Sequence, residues 1–448
     1  MPFPTLARPN LADQYNLTRL PNGLRIITVP LPDRYSVTAA FYVGVGARYE
    51  PAEVSGISHF IEHMAFKGTQ RYPTPAAIGQ AIEGVGGALD AFTSDDRTGY
   101  IARVPAARLP VAIDLVADML RRPKLRAADV AREKRVILEE LAMIQDEPES
   151  WVAVLGDELM FGAHPLGRDI LGTEPSLRAM TRTKLVEHVR RFYRPGNTVI
   201  ALAGAFDADN ALTRIAAALG DWEPAPSPGF APAPALPIGP LVRVETRAIE
   251  QAHLRLSVPG FSLLDPRRHA LQLLGAVLGA GMSSRLFLEL REHQALAYNV
   301  YSDESYLHDT GILSVYTAVD PRRAPDALRT ILRELRRLRD EPVPDDELQR
   351  TKEYLNGGLL LRLEDTAEIA MSLAGQAVVR DEILTASDMA ARLARVTAED
   401  IQATARLLLA RETMYLALVG PFSGAERFEG ILAEAAGDTP GASNPPPS

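Results

Sequence analysis

The sequence contains no cysteine among its 448 residues. Disulfide bonds, thiolate metal sites and cysteine nucleophiles are therefore excluded. Any bound metal ion would have to be held by histidine, aspartate or glutamate side chains. Histidine is itself scarce, with 8 residues in the chain, so two histidines close together in a regular pattern would rarely arise by chance.

Long apolar runs are missing as well. No stretch approaches the roughly 20 apolar residues that a membrane-spanning helix requires. Residues 1–20 carry charged and polar side chains where a signal peptide needs an apolar core. We therefore expect a cytoplasmic protein with no signal peptide, no transmembrane segment and no membrane partner.

A surplus of basic residues is also missing. Acidic residues number 57 against 48 basic ones, which gives a formal net charge of −9. A nucleic-acid-binding protein needs a basic face to contact phosphates, so this balance argues against a nucleic-acid partner. The apolar fraction of 46% and the charged fraction of 23% are typical of a globular protein, and the length indicates two or three domains.

Proline is concentrated in two places that predict domain boundaries. Residues 223–240 are crowded with proline and alanine, which is typical of a semi-rigid linker. Residues 437–448 are rich in proline, glycine and serine and predict a disordered tail. We therefore predict one domain over residues 1–222 and a second over residues 241–436.

The two predicted domains resemble diverged copies of each other. Residues 130–135 (VAREKR) resemble residues 348–353 (LQRTKE), and residues 197–206 (NTVIALAGAF) resemble residues 413–422 (TMYLALVGPF). The offset between the copies is nearly the same at both places, as a duplicated domain requires. The alternative is that two mixed domains share generic helix–strand patterning.

Each copy mixes strands with helices. In the first copy, apolar and β-branched residues predict strands over residues 24–29 and 37–45. Apolar periodicity predicts helices over residues 109–120 and 127–144. Clustered strands with intervening helix pairs favour an α+β fold over strict βαβ alternation. We therefore predict two homologous domains from an internal duplication, each a mostly antiparallel sheet packed against helices.

The segment His59-x-x-Glu62-His63 is the main candidate for a functional site. Four apolar residues within it and beside it have the spacing of one buried helix stripe: Ile57, Phe60, Ile61 and Met64. Two histidines at i and i+4 lie one helical turn apart, so both imidazoles can reach one ion at ~2.0–2.1 Å. A carboxylate directly before the second histidine can hold a metal-bound water, in the reverse of the HExxH order. The alternative is a pair of histidines on a solvated helix face.

A third ligand would have to come from another element, leaving the fourth position open for water. The predicted helix over residues 127–144 carries Glu133, Glu139 and Glu140. Glu133 and Glu140 lie two turns apart on one face, whereas the side chain of Glu139 points about 100° away from that of Glu140. Taken alone, these carboxylates also fit a solvated face.

Taken together, these motifs resemble the pitrilysin/insulinase family of inverted-motif zinc peptidases. The chain length suggests its short-chain branch, which is similar to the beta subunit of mitochondrial processing peptidase. The similarity extends through residues 64–69 (MAFKGT), 86–94 (GGALDAFTS) and 136–140 (VILEE). It covers both halves of the chain up to the predicted tail.

The resemblance implies one zinc ion per chain, held by His59, His63 and Glu140. It assigns Glu62 as the general base on a zinc-bound water and Glu133 as a carboxylate that supports the site. It further implies a strand edge that pairs with the substrate backbone by β-augmentation. The residues at that edge are Gly87, Ala88, Leu89, Asp90, Ala91 and Phe92. Family members commonly carry asparagine at the position of Asp90, and a carboxylate cannot donate the hydrogen bond that an amide can.

The second half has no HxxEH motif, and aligning Lys352 with Lys134 places Gly358 opposite Glu140. Its segment 290–300 (LREHQALAYNV) resembles the family's Arg/Tyr segment. By that resemblance, Arg291 and Tyr298 donate hydrogen bonds to the scissile carbonyl oxygen as negative charge develops there. Because the second half has no HxxEH motif, we expect only the first domain to bind zinc.

The expected activity is zinc-dependent endopeptidase hydrolysis of short or unfolded peptides inside a clam-shell dimer chamber. The resemblance implies two chains per chamber. A homodimer is expected because this chain carries both the zinc motif and the Arg/Tyr pair, and a heterodimer with a homologous chain is the alternative. Two rival functions stay open: a catalytically silent structural or core subunit, and a peptide-binding partner in a heterodimeric peptidase.

Overall fold

The computed structural model describes residues 13–226, 228–380 and 382–435. The predicted tail, residues 437–448, lies outside the described residues. Within the described part of the chain, no helix is both long enough and apolar enough to cross a bilayer.

The strands are β1 (Asn16–Arg19), β2 (Arg25–Pro30), β3 (Ser36–Val43), β4 (Ala88–Thr93), β5 (Thr98–Pro105), β6 (Thr198–Gly204), β7 (Leu241–Thr246), β8 (Ala252–Gly260), β9 (Ala297–Tyr306), β10 (Gly311–Val319) and β11 (Tyr415–Gly420). The α-helices are α1 (Ile57–Ala65), α2 (Pro75–Glu83), α3 (Leu109–Arg121), α4 (Ala127–Asp146), α5 (Pro148–Phe161), α6 (Glu174–Arg178), α7 (Arg182–Phe192), α8 (Ala208–Leu219), α9 (Arg268–Gly279), α10 (Ala324–Asp340), α11 (Asp345–Arg362), α12 (Thr366–Val379), α13 (Ala386–Arg395), α14 (Ala398–Leu408) and α15 (Glu426–Ala435). A π-helix covers Phe287–His293. The helices and strands predicted for the first copy all occur, with ends shifted by one or two residues.

The chain divides into two compact units. Unit 1 consists of the described parts of Met1–Ala142, Arg168–Ala231 and Asn356–Ala391, and unit 2 consists of those of Met143–Gly167, Pro232–Leu355 and Arg392–Ser448. Both units mix a sheet with helices, which confirms the predicted α+β class. The residues between positions 223 and 240 that are described form neither helix nor strand.

The two sheets repeat one topology. The strand order is β1-β2-β6-β3-β5-β4 in unit 1 and β7-β11-β8-β10-β9 in unit 2. Without β1, the two orders match strand for strand. In each sheet one pair is parallel, β2 with β6 and β7 with β11, and the other pairs are antiparallel. This repetition confirms the predicted duplication and the mostly antiparallel sheets.

Two helices pack in the unit opposite to their half of the sequence. Helix α5 buries Val152 and Leu155 against Ala417 and Val419 on the sheet of unit 2. Helix α12 buries five residues against the sheet of unit 1: Ile369, Ala370, Leu373, Ala374 and Ala377. The domain boundaries expected from the sequence assigned both helices to the opposite halves. The exchange is possible because each sheet leaves an equivalent apolar face for a helix to cover.

Helix α1 is fixed to unit 1 through its apolar stripe and its amino end. Ile57, Phe60, Ile61 and Met64 are all buried in the core of the unit. At the amino end, the buried carboxylate of Glu50 accepts hydrogen bonds from the backbone N–H groups of Gly56, at 2.6 Å, and Ser58, at 2.7 Å. Because a helix amino end carries partial positive charge, a carboxylate there stabilises the helix and fixes its direction.

Matching lysines anchor helices α4 and α11. The Nζ atom of Lys134 donates to the carbonyl oxygens of Arg178, at 2.8 Å, and Met180, at 2.9 Å. The Nζ atom of Lys352 donates to two carbonyl oxygens at the same place in the second copy, those of Ala394 and Val396. The two helices therefore correspond with the register that was expected from the sequence. In this register Gly358 is the residue of the second copy that is equivalent to Glu140.

Candidate metal centre

Three side chains from helices α1 and α4 converge in unit 1. His59 Nε2 lies 4.0 Å and His63 Nε2 lies 3.4 Å from Oε2 of Glu140, and the two imidazole rings are 4.5 Å apart between centroids. One ligand atom from each of the three residues lies within 4.8 Å of the other two, and each residue is partly buried. Among the described residues, this is the group of His, Asp and Glu that could hold a metal ion.

The donor set fits zinc. Around an ion with bonds of ~2.0–2.1 Å, the corners of a tetrahedron lie about 3.3–3.4 Å apart. The separations from Glu140 Oε2 to His63 Nε2 and His59 Nε2, 3.4 and 4.0 Å, are close to that value. Two imidazoles and one carboxylate are also a usual ligand set for catalytic zinc, which keeps a fourth position open.

The pKa of His59 is lowered to about 4, first by its burial and then by the neighbouring His63. The imidazole of His59 is therefore neutral near pH 7, and a neutral imidazole has the lone pair that a metal ligand needs. Within the described part of the chain, Nδ1 of His59 has no hydrogen-bond partner.

The Nδ1 atom of His63, in contrast, has a polar partner. It lies 3.0 Å from Oε1 of Glu133, a buried carboxylate on α4. The second oxygen of Glu133 lies 2.8 Å from Nζ of Lys67. Because a carboxylate beside an ammonium group accepts hydrogen bonds, Nδ1 of His63 donates to Glu133 and Nε2 is left to face Glu140.

Glu62 lies beside this group without belonging to it. Its Oε2 accepts a hydrogen bond of 2.7 Å from the hydroxyl of Thr93, the last residue of β4. Burial raises the pKa of Glu62, and the Thr93 hydroxyl and the nearby His63 oppose that rise. The carboxylate is thus oriented by the protein and is available to take a proton.

Strand β4 forms an edge of the unit 1 sheet. In the described sheet it pairs with β5, and its other side carries no strand. Leu89 and Ala91 pack against the core of the unit, whereas Asp90 is exposed. The segment 87–92 that was singled out in the sequence therefore consists of Gly87 and the first five residues of an edge strand, the geometry that β-augmentation requires.

Arg291 and Tyr298 lie together in unit 2. Arg291 belongs to the π-helix Phe287–His293. Tyr298 is the second residue of β9, a strand at one edge of the sheet of unit 2, and it is exposed. The guanidinium carbon of Arg291 lies 4.6 Å from the centroid of the Tyr298 ring. Tyr298 is 78% exposed, so the residue is accessible to a ligand.

Sequence reasoning missed the contacts that Lys67 makes with Glu133 and that Thr93 makes with Glu62. Lys67 and Thr93 lie in segments on which the family resemblance was based, 64–69 and 86–94. Lys67 follows His63 by four residues, and that spacing could have indicated a shared partner. Thr93 carried no such signal, because its contact with Glu62 joins a strand to a helix that is distant in sequence.

Two family models match this chain. Residues 25–174 match the insulinase family, peptidase family M16, and residues 179–355 match the peptidase M16 inactive domain. The first match contains His59, Glu62, His63 and Glu140. The second contains Arg291 and Tyr298.

Several relatives and solved structures are similar over nearly their whole length. An uncharacterised zinc protease of Streptomyces coelicolor is 38% identical, over 90% of this chain and 89% of its own. The uncharacterised zinc protease YmxG of Bacillus subtilis is 33% identical, over 89% of this chain and 97% of its own.

Among solved structures, a protease from Helicobacter pylori has a TM-score of 0.85 at 20% identity and covers 91% of this chain and 99% of its own. A chain of complex III2 from Candida albicans has a TM-score of 0.80 at 18% identity and covers 93% of this chain and 99% of its own. These two likenesses concern the fold. The family matches and the sequence identity to the zinc proteases establish that this chain belongs to the insulinase family of peptidases, M16.

Proposed function

We propose that the chain is a zinc-dependent endopeptidase that hydrolyses short or unfolded peptides. The observation that carries the proposal is the arrangement around α1: His59, His63 and Glu140 converge, and Glu62 stands beside them. His59 and His63 would each supply Nε2, and Glu140 would supply Oε2, to one ion per chain. When bound, zinc supplies a Lewis acid that polarises a peptide carbonyl and lowers the pKa of a water molecule.

Glu62 acts in this proposal as the general base. Its carboxylate takes a proton from the attacking water and passes it to the leaving amine, as a positioned carboxylate can do. Thr93 holds Oε2 of Glu62 at 2.7 Å. The hydroxyl fixes the direction of the carboxylate and leaves Oε1 for the water. Glu133 fixes His63 in the same way from behind.

Strand β4 is the proposed binding edge for the substrate. An extended peptide that adds a strand beside β4 gains main-chain hydrogen bonds with little demand on its own sequence. Such a mode suits a peptidase for short or unfolded chains, because a folded protein does not offer a free strand. Asp90 is exposed on this strand, and as a carboxylate it can only accept a hydrogen bond from the substrate.

Arg291 and Tyr298 are the proposed donors to the oxyanion. Both can donate hydrogen bonds, and the exposed ring of Tyr298 is held against the guanidinium of Arg291. Donors placed where negative charge develops lower the barrier more than donors to the ground state. We further propose that they act on the metal centre of a second copy of the chain, in a homodimer with two composite sites. A heterodimer with a homologous chain is the alternative.

The activity is tested on the purified chain, with and without a chelator, in a mixed peptide library whose products are read by mass spectrometry. Zinc content is measured on the same sample. We expect about one zinc ion per chain, cleavage at internal bonds and loss of cleavage with the chelator. A chain that holds zinc but releases no products would overturn the proposed hydrolysis.

The composite dimer is tested by mixing two inactive variants, Glu62→Gln and Tyr298→Phe, and allowing subunits to exchange. A mixed dimer has one site with both lesions and one with neither. Activity should therefore return to about a quarter of the wild-type value, since half of the dimers are mixed and one of their two sites is intact. If subunit exchange is verified by a tag pull-down and no activity returns, the composite homodimer is excluded.

A silent structural subunit is the second candidate function. It is favoured by one observation, the fold likeness to a chain of complex III2 from Candida albicans. Against it stand the three proposed metal ligands, His59, His63 and Glu140, and the proposed base Glu62, which a subunit without chemistry does not need. The third candidate function is that of a partner that binds peptides without cleaving them. Peptide capture without products would favour this third function, and absence of both zinc and peptide binding would favour the structural subunit.

A further inference from the structure

Three side chains, His63, Glu133 and Lys67, are connected in series on the side of His63 that faces away from Glu140. Nδ1 of His63 lies 3.0 Å from Oε1 of Glu133, and Oε2 of Glu133 lies 2.8 Å from Nζ of Lys67. The Glu133 side chain is 5% exposed and that of Lys67 is 30% exposed. Each oxygen of the buried carboxylate therefore has one partner, and one of the two partners carries a full positive charge.

Burial makes this ammonium group important. A carboxylate removed from water is costly unless a countercharge and hydrogen bonds replace the lost hydration. Glu133 lies among the buried apolar residues Val130, Ile137 and Leu141 of α4, and the other acidic residue on this face, Glu140, cannot neutralise a second carboxylate. Lys67 supplies the countercharge, and its partly exposed side chain keeps contact with solvent.

Lys67 is placed there by the end of helix α1. The helix ends at Ala65, and the backbone N–H of Lys67 still donates to the carbonyl oxygen of Met64. Lys67 is therefore one turn beyond His63, and both side chains reach the same carboxylate. A cation at this end of the helix is also favoured by the helix dipole.

We infer that Lys67 is a positioning residue for the metal centre. Its ammonium group holds Glu133 in place, and Glu133 fixes the tautomer and the ring orientation of His63, so that Nε2 faces the ion. The effect falls on one of the two histidines, because Nδ1 of His59 has no such partner within the described residues. The inference rests on the proposed zinc site, and it adds a residue that neither supplies a ligand atom nor touches the substrate.

The first test measures zinc affinity by competition with a chelator. Lys67→Met keeps an unbranched apolar side chain and removes the charge. Lys124→Met is the matched control, since the bond that ties Lys124 to this loop in the described structure is a backbone one, from its N–H to the carbonyl oxygen of Gly68. We expect Lys67→Met to bind zinc about 10-fold more weakly, the lower end of the loss known for groups behind a metal ligand. We expect Lys124→Met to bind like the wild type.

Glu133→Gln and the double variant decide whether Lys67 acts through Glu133. If it does, the Lys67→Met change should weaken zinc binding no further once Glu133 is replaced. An additive loss in the double variant, or wild-type affinity in Lys67→Met, would overturn the inference.

The second test does not need zinc or turnover. In metal-free protein labelled with ¹⁵N-histidine and kept at about pH 9, well above the usual pKa of an imidazole, His63 should occupy the Nδ1–H tautomer, and Lys67→Met should give a mixture of tautomers. If Lys67→Met does not fold, Lys67→Arg, which retains the charge, should keep the wild-type tautomer. A mixed tautomer in the wild type, or an unchanged one in Lys67→Met, contradicts the inference. A wild-type chain that binds no zinc but shows the expected tautomers would instead refute the proposed function.

Discussion

Replacing Glu62 by glutamine separates the proposed base from the metal ligands. Glutamine has nearly the same shape as glutamate, and its amide oxygen can accept the 2.7 Å hydrogen bond from Thr93 that orients the native carboxylate. The side chain should therefore keep its place. It loses the ability to take a proton, because an amide is not basic near neutral pH.

The expected loss of activity follows from that single change. A positioned general base contributes roughly 10²- to 10⁴-fold to the rate, which corresponds to about 2.7–5.4 kcal/mol in the activation free energy. Zinc content should stay near one ion per chain, because Glu62 is not in the converging group of His59, His63 and Glu140 among the described residues. The activity loss should appear in kcat with a small change in KM.

The assay combines a quenched peptide substrate with zinc analysis of the same preparation. Loss of zinc together with activity would assign Glu62 to the ion and refute its role as base. Retention of more than a tenth of the wild-type kcat would mean that another group takes the proton. Glu139→Gln is the control, since it changes an exposed carboxylate on α4 in the same chemical way.

Three further predictions concern single side chains. Glu140→Gln should accelerate zinc release, whereas Glu139→Gln should leave it unchanged, and the opposite ranking in a zinc-release assay would mean that Glu139 is the ligand. Thr93→Val should lower kcat about 10-fold or more, with little change in KM, because it removes the hydrogen bond to the charged Glu62. Thr93→Ser retains a hydroxyl and should keep a kcat near the wild-type value. Equal kcat values in the two variants would exclude the role of Thr93 in orienting Glu62. Burial raises the pKa of Glu304 to about 8. The folded state therefore binds the proton of the Glu304 carboxyl group more tightly than the unfolded state does. The free energy of unfolding consequently falls as pH rises from about 4.5 toward 8. Glu304→Gln should thus be more stable than the wild type at pH 9, by up to roughly 5 kcal/mol, and the gain should largely disappear at pH 5 in urea unfolding; an equal gain at both pH values would contradict the assignment.

Spacing along a single helix was enough to predict which side chains of the candidate site share one face of α1. His59, Glu62 and His63 lie within one and a half turns, so the α-helical repeat alone brings them to one side. The apolar stripe of Ile57 and its neighbours was likewise readable, because the same repeat buries it. The strands and helices of the first copy were predictable within a residue or two for the same reason.

The relation between the two copies was also readable from the sequence. The match between residues 130–135 and 348–353 fixed a register that the lysine anchors of α4 and α11 reproduce. A duplicated sequence tends to form the same local elements twice, and apart from β1 the two sheets show the same strand order.

The exchange of α5 and α12 was decided by tertiary structure. Both helices carry apolar residues suited to a sheet face, and the duplication provides two equivalent faces. A periodic pattern tells that a helix will be buried, but it does not tell which of two similar surfaces will bury it. The contiguous boundaries expected from composition could not anticipate that choice.

By itself, then, the sequence determined what depends on neighbours along the chain: the motif face of α1, the local elements, the repeat and the lack of cysteine ligands. Tertiary structure decided what depends on distant elements: Glu140 opposite the two histidines, Thr93 on Glu62, and Lys67 with His63 on the buried Glu133. The physical reason is that backbone geometry sets directions within one helix, whereas the distance between two elements is set by how their side chains pack in the core.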